Sequence, residues 1–349
     1  MNSKCVKPNI RWRMWLTVAL LMTVGMLCTA TGCGGTDAAS SAGSETKWQY
    51  EVVSGSCLRL TGCLTEAKEL VIPATIEEKS VTTIGNKAFA ALPLRRVTLP
   101  DSVTKVEEGA FMNCESLEEV NLTSVTVIEK QAFSGCSSLT DIKFHDELSY
   151  LGMGAFEKCE MLSAIMIPLS VKEIPDRAFS GCLRLNEVTL PEGLTGIGAY
   201  AFSDCMSLKD PAFPASLNRI GEFAFMGCQS TESVKLVKAE YGRGVWMDCR
   251  RLNQVDFSGY SGEMSDYLFA GCVSLTAVKI PSEVTSIGDS SFRYCTGLKR
   301  IEIPASVVNI GRNAFSGCDS SLVIFAPETS AGYRYANSFG FTYENSNKQ

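Results

Sequence analysis

One spacing constrains this chain more than any other feature. An aromatic residue, usually preceded by Ala, recurs at Phe89, Phe111, Phe133, Phe156, Phe179, Phe202, Phe225, Trp246, Phe269, Phe292 and Phe315. The steps are 22, 22, 23, 23, 23, 23, 21, 23, 23 and 23 residues. Three residues after each aromatic from Phe111 onward stands a cysteine: Cys114, Cys136, Cys159, Cys182, Cys205, Cys228, Cys249, Cys272, Cys295 and Cys318. In most copies Leu follows at the sixth position, Val or Ile at the ninth and another apolar residue at the eleventh, as in Val188-Thr189-Leu190, and a proline such as Pro191 often closes that stretch. Five residues before every aromatic but Trp246 sits Ile, Leu, Val or Met, often followed by Gly, as in Ile197-Gly198. A fixed period of this size belongs to a solenoid, in which each unit contacts only its neighbours.

The unit can be read physically. Leu-x-x-Val-x-Leu alternates apolar and polar residues, the period of a strand with one buried face. Proline ends it, because it cannot donate to a ladder. Val-Thr-x-Ile-Gly makes a second short alternating stretch, and Ala-Phe-x-x-Cys is a compact turn or helical turn. No copy can bury its apolar set alone, whereas copies stacked about 4.8 Å apart share a continuous core. The expected architecture is a β-rich solenoid of the α/β-repeat kind, with about 23 residues per coil. Short parallel strands are joined by turns or short helical connections. At 349 residues and 45% hydrophobic the chain could split into two domains, but a solenoid core grows by stacking and has no need to.

The beginning of the chain is different. Lys4 to Arg13 is basic, Met14 to Leu27 is an apolar run too short to span a bilayer, and small residues lead to Cys33. The ending Ala30-Thr31-Gly32-Cys33 resembles the bacterial lipobox, with Ala30 where Leu is usual. That resemblance implies a lipoprotein signal peptide over residues 1–32 and a lipidated Cys33; ordinary cleavage or an uncleaved anchor is the alternative. Residues 33–46 are rich in Gly, Ser and Ala and read as a flexible tether. The first 32 residues hold four basic side chains and no acid, so their loss takes the formal charge from −6 to −10. So acidic a chain is a poor partner for nucleic acid.

The repeat resembles the BspA-type leucine-rich repeats of bacterial and protist surface proteins over residues 81–325. Its signature, Ile-Gly-x-x-Ala-Phe-x-x-Cys-x-x-Leu-x-x-Ile-x-Ile-Pro, stands nearly whole in Ile287 to Pro304. The resemblance implies an amino-terminal cap over residues 47–80 and a carboxyl-terminal cap over 326–349, with a short helix around Tyr335 and a last strand. It also implies an exported, surface-exposed, monomeric protein that binds a protein or glycan partner, with an envelope or periplasmic scaffold as the alternative.

Chemistry is sparse. With one histidine, His145, most Ser-His-Asp, Cys-His and multi-His zinc schemes lack parts. The cysteine column runs along the solenoid and cannot converge on a metal, so neither a metal nor another cofactor is expected. Small thiols donating weakly to backbone carbonyls suit a tight interior turn. Cys57 and Cys63 stand outside that column, and in an exported protein they are candidates for a disulfide. Acids recur just before the strand anchor at Glu119, Asp141, Glu187 and Asp210, interrupted by Ala164, as a solvated face or a site for a cation or a basic partner. From Val237 to Leu268 the pattern loosens. Tyr241, Arg243, Tyr260 and Tyr267 cluster there beside Trp246, and such a departure marks a candidate contact patch.

Overall fold

The computed structural model describes residues 46–346. An antiparallel hairpin, β1 (Lys47–Ser54) and β2 (Cys57–Leu64), opens it, and β2 then pairs in parallel with Lys79–Ile84. From there the chain winds as a parallel β-solenoid with two strand faces. One face stacks the Val-Thr-x-Ile segments and is called here the Ile face. Its strands include Lys105–Val106, Val127–Ile128 and Tyr150–Leu151, then Glu173–Ile174, Gly196–Ile197, Arg219–Ile220 and Glu240–Tyr241. The other face stacks the Leu-x-x-Val-x-Leu segments, such as Ala164–Met166 on Glu187–Thr189 and Ala277–Lys279 on Arg300–Glu302. The connections are turns; among the described residues there is one α-helix, α1 (Ala331–Phe339), in the closing segment. Ser330 caps its first turn and Gly340, at φ 75°, ends it before the last strand, Thr342–Asn345.

The repeated aromatic builds the core. From Phe89 to Phe225 consecutive rings stack with centroids 5.2 to 5.8 Å apart, and Phe225 passes the stack to Trp246 at 4.7 Å. A second stack runs from Phe269 through Phe292 to Phe315. From Phe89 to Phe292 each Phe N–H donates to the carbonyl of the residue before the next coil's aromatic, usually Ala, as Phe111 does to Ala132 at 2.8 Å. The cysteines complete the turn from the other side. Each Sγ donates to the carbonyl of the previous coil's aromatic, Cys114 to Phe89 through Cys318 to Phe292, at 3.0 to 3.3 Å. Burial pushes the thiols up, Cys114 to about 11 and Cys182 and Cys249 to about 12.

A two-coil alternation, absent from the hydrophobic pattern, is laid over this core. The residue two after the aromatic is left-handed in every coil, yet from Asn113 onward glycine holds it only in alternate coils: Asn113, Gly135, Lys158, Gly181, Asp204, Gly227. The larger side chain lies over the next coil's glycine. A Cβ on Gly135 would come within 2.4 Å of Asn113 Oδ1, and one on Gly227 within 2.6 Å of Asp204 Oδ1. Glycine is required there by the contact, since Asn113, Lys158 and Asp204 hold the same left-handed position in the coils between.

Candidate functional site

The loosened coils are repaired from inside. The 21-residue step to Trp246 is shorter than its neighbours, and it lacks the turn in which Leu194 N–H donates to Pro191 C=O at 3.2 Å. Tyr241 takes the register position of Ile220. Its phenol reaches back to close the missing turn, accepting from Val237 N–H at 2.9 Å and donating to Val237 C=O at 3.1 Å. Tyr260 is 5% exposed, lies 5.2 Å from the Tyr241 ring and donates to Glu263 C=O at 3.0 Å. Burial raises both phenols above their ordinary range. Tyr260 is core and Tyr241 is half-buried against it with its phenol turned inward, so the contact patch expected at Tyr241, Arg243, Tyr260 and Tyr267 is corrected. Arg243 is exposed and Tyr267 half-buried, and the guanidinium sits 4.3 Å above the ring centroid.

The disulfide expectation is also corrected. Cys57 and Cys63 occupy one extended strand, β2, six residues or about 20 Å apart. A bridge needs Cα atoms within about 7 Å, and both thiols are free. Of the acidic positions, Glu119 and Asp210 are engaged by neighbours, whereas Asp141 and Glu187 line a hollow of about 410 Å³. Glu119 pairs with Arg96, which also holds Glu69, each at 2.9 Å. Burial works against the Asp210 charge. Hydrogen bonds from Glu232 N–H, Ser233 N–H and Ser233 Oγ outweigh it and hold the carboxyl below its usual range. His145 sits in a turn, its Nδ1 accepting from Glu147 N–H at 2.9 Å. Cys33 lies outside the described residues. Among those residues no helix is long and apolar enough to cross a membrane.

The accessible hollow lies elsewhere, in a coil whose hydrophobic spacing is regular. In most other coils the residue after the Ile position donates its N–H to the coil before, as Gly152 does to Ile128 and Gly198 to Ile174, both at 2.8 Å. In the coil between them that residue is Pro175, which has no N–H. The sheet breaks there: strand Tyr150–Leu151 has no pairing to Glu173–Ile174. The break opens a hollow of about 520 Å³ walled by Tyr150, Met153, Lys172, Glu173, Asp176 and Arg219. A second hollow of about 390 Å³ continues it, sharing Asp176 and Arg219 and ending at Glu240 and Tyr241.

The trough's side chains differ in how they are held. Asp176 Oδ1 accepts from Ala199 N–H at 2.7 Å, and Lys172 Nζ donates to Leu169 C=O at 3.0 Å. The side chains of Tyr150, Glu173 and Arg219 have no hydrogen-bond or ion-pair partner among the described residues, and Tyr150 is 53% exposed. In the register column Glu173, Gly196, Arg219 and Glu240, Gly196 leaves the two free charges without a side chain between them. Along the rim the residues following Asp176, Ala199 and Glu222 form a ridge. Arg177 lies 4.6 Å over Tyr200, whose ring stacks on Phe223 at 5.1 Å. Sequence reasoning passed over this site, although Ile174-Pro175 in place of Ile-Gly was a visible signal.

A similar interruption marks the opposite face. Pro211 holds the position of Val188, no strand forms at Asp210–Phe213, and a hollow of about 380 Å³ lies beside it.

Comparison with known proteins agrees with this geometry. The model of the BspA type leucine rich repeat region matches six copies, over residues 65–184, 151–260 and 240–339. A leucine rich cell surface protein from Faecalibacterium prausnitzii A2-165 is 28% identical with a TM-score of 0.51, the match covering 85% of this chain and 97% of that one. A leucine-rich repeat protein from Bacteroides ovatus ATCC 8483 is 27% identical with a TM-score of 0.49, covering 85% and 98%. No curated protein matches. With its repeat matched across well over half its length, the chain belongs to the BspA-type leucine-rich repeat family.

Proposed function

We propose that this is a non-enzymatic, lipid-anchored protein of the bacterial cell surface whose solenoid binds a protein or glycan partner. The observation that carries the reading is the Pro175 trough. It is an open hollow whose free donors and acceptors, Glu173, Arg219 and the Tyr150 phenol, face solvent on a rigid frame. Family membership supports a repeat scaffold, and the similar protein from F. prausnitzii is described as a cell surface protein. The thiols do not suit catalysis, since burial pushes the ten column cysteines toward the unreactive protonated form. The signal-like start ending at Cys33 supports anchoring, and the acidic mature charge argues against nucleic-acid partners. We take the protein to act as a monomer.

Protease treatment of intact cells tests display: release of the repeat region is expected. Release only after lysis would favour the alternative, an envelope scaffold holding other proteins. Exposure of intact cells to matrix proteins and glycans, with and without the gene, tests binding; equal capture by both would overturn it.

A further inference from the structure

The geometry points to a specific occupant for the trough along the Ile face: an uncharged oligosaccharide laid across the coils. This inference rests on the binding role proposed above and gives it a site and a ligand class.

Charge comes first. The larger hollow carries two cations, Lys172 and Arg219, and two anions, Glu173 and Asp176, so it gives no net attraction to a polyanion or a polycation. The continuing hollow adds Glu222 and Glu240, which repel sulfated or acidic sugars. The unpartnered charges of the larger hollow are one of each sign, Glu173 and Arg219, and the ligand that uses both is neutral and dense in hydroxyls. Such groups accept from the Arg219 guanidinium and donate to Glu173 and to the second oxygen of Asp176, in charge-assisted hydrogen bonds.

Shape agrees with charge. Tyr150 stands at one end with more than half its surface open, beside Met153 at 40%. The negative face of an aromatic ring attracts the polarised C–H groups that line one side of a pyranose. The far floor is bare by necessity: a Cβ on Gly198 would come within 2.5 Å of Asp176 N, and one on Gly221 within 2.5 Å of Ala199 N. Successive coils are about 4.8 Å apart, close to the length of one pyranose, so a linear chain crossing the coils meets similar surroundings at each step. The Tyr200–Phe223 ridge borders this path. A protein partner would call for a broad apolar centre with a polar rim, and this trough has charged walls.

The test uses the full-length chain in a sugar-free detergent, titrated calorimetrically with neutral hexasaccharides of glucose, mannose, xylose and N-acetylglucosamine. A heparin-derived hexasaccharide is the anionic comparator. At least one neutral hexasaccharide should bind saturably and without salt dependence. Tyr150→Ala and Arg219→Ala should each weaken it by about tenfold or more, whereas Tyr294→Ala, at an exposed ring outside the trough, should leave it unchanged. Matching thermal melts establish that the variants fold, and Tyr150→Phe should retain binding. Silence of every neutral sugar, binding of the heparin fragment alone, or equal binding by the trough variants would overturn the assignment. If the neutral sugars are silent while intact cells still capture a matrix protein, the ligand class falls and the binding role stands.

Discussion

Two kinds of irregularity interrupt this solenoid, and they have opposite outcomes. Around Trp246 and Tyr260 the repeat loses residues and side-chain identity together and the Ile-face sheet is interrupted between Glu240–Tyr241 and Gly262–Met264, yet larger side chains fill the gap. Tyr241 supplies from its phenol the turn bond that the shorter coil lacks, and Tyr260 is buried against it. Around Pro175 the hydrophobic spacing is undisturbed and a single backbone donor is missing. No side chain replaces it, and the sheet opens into a trough. Missing volume can be refilled by a bigger residue, whereas a missing N–H between stacked strands leaves an edge.

The comparison can be broken at several points. The largest effect concerns the intact frame that both regions share. Unfolded thiols ionise near 9, whereas burial raises the column cysteines, Cys114 to about 11 and Cys182 to about 12. The fold therefore has its full stability below about pH 9 and loses it as pH rises through 11 and 12. Circular dichroism against pH should show cooperative unfolding in that window. A solenoid unchanged at pH 12 would mean the thiols are not sealed.

Next come the rings. Phe156→Ala, in the regular stack, should cost about 3–5 kcal/mol by urea denaturation, and Tyr260→Ala a comparable amount. Tyr150→Ala, at the open trough, should stay within about 0.5 kcal/mol. If Tyr260→Ala is equally mild, the tyrosines are surface groups after all and the contrast collapses. Tyr241→Phe keeps the ring and strips Val237 of its partner, so a loss of about 1–3 kcal/mol is expected. Tyr267→Phe should be neutral in the same assay.

The smallest change in stability belongs to Pro175→Gly. A regained donor and a looser unfolded chain offset each other to within about 1 kcal/mol. The readout is local instead: hydrogen exchange should show the new amide at position 175 as protected as that of Gly198. An amide that exchanges freely would mean that proline does not hold the trough open.

Most of the frame was legible because the aromatic, cysteine and leucine positions repeat with almost fixed spacing, and their burial follows from stacking. The site was less so. Hydrophobic spacing registers the shortened coil before Trp246 and directs attention to its tyrosines, but tyrosine serves core and surface alike, and only contacts separate Tyr260 from Tyr267. The trough depends on a backbone N–H, which residue patterning does not weigh, although Pro175 in an Ile-Gly slot was there to be noticed. Cys57 and Cys63 looked pairable until one strand was seen to hold both in extended form.

The alternation of bulky residue and glycine two places after each aromatic bears on how such a chain can grow. Asp204 leans over Gly227, Asp248 over Gly271 and Tyr294 over Gly317. Duplicating a single coil would stack a second large side chain where bare backbone is needed, or leave two glycines adjacent with nothing covering them. Duplicating two coils preserves every such contact. The smallest segment that can be copied in or deleted without a misfit is therefore a pair, and lengths that differ by an even number of coils are the ones this architecture tolerates most readily.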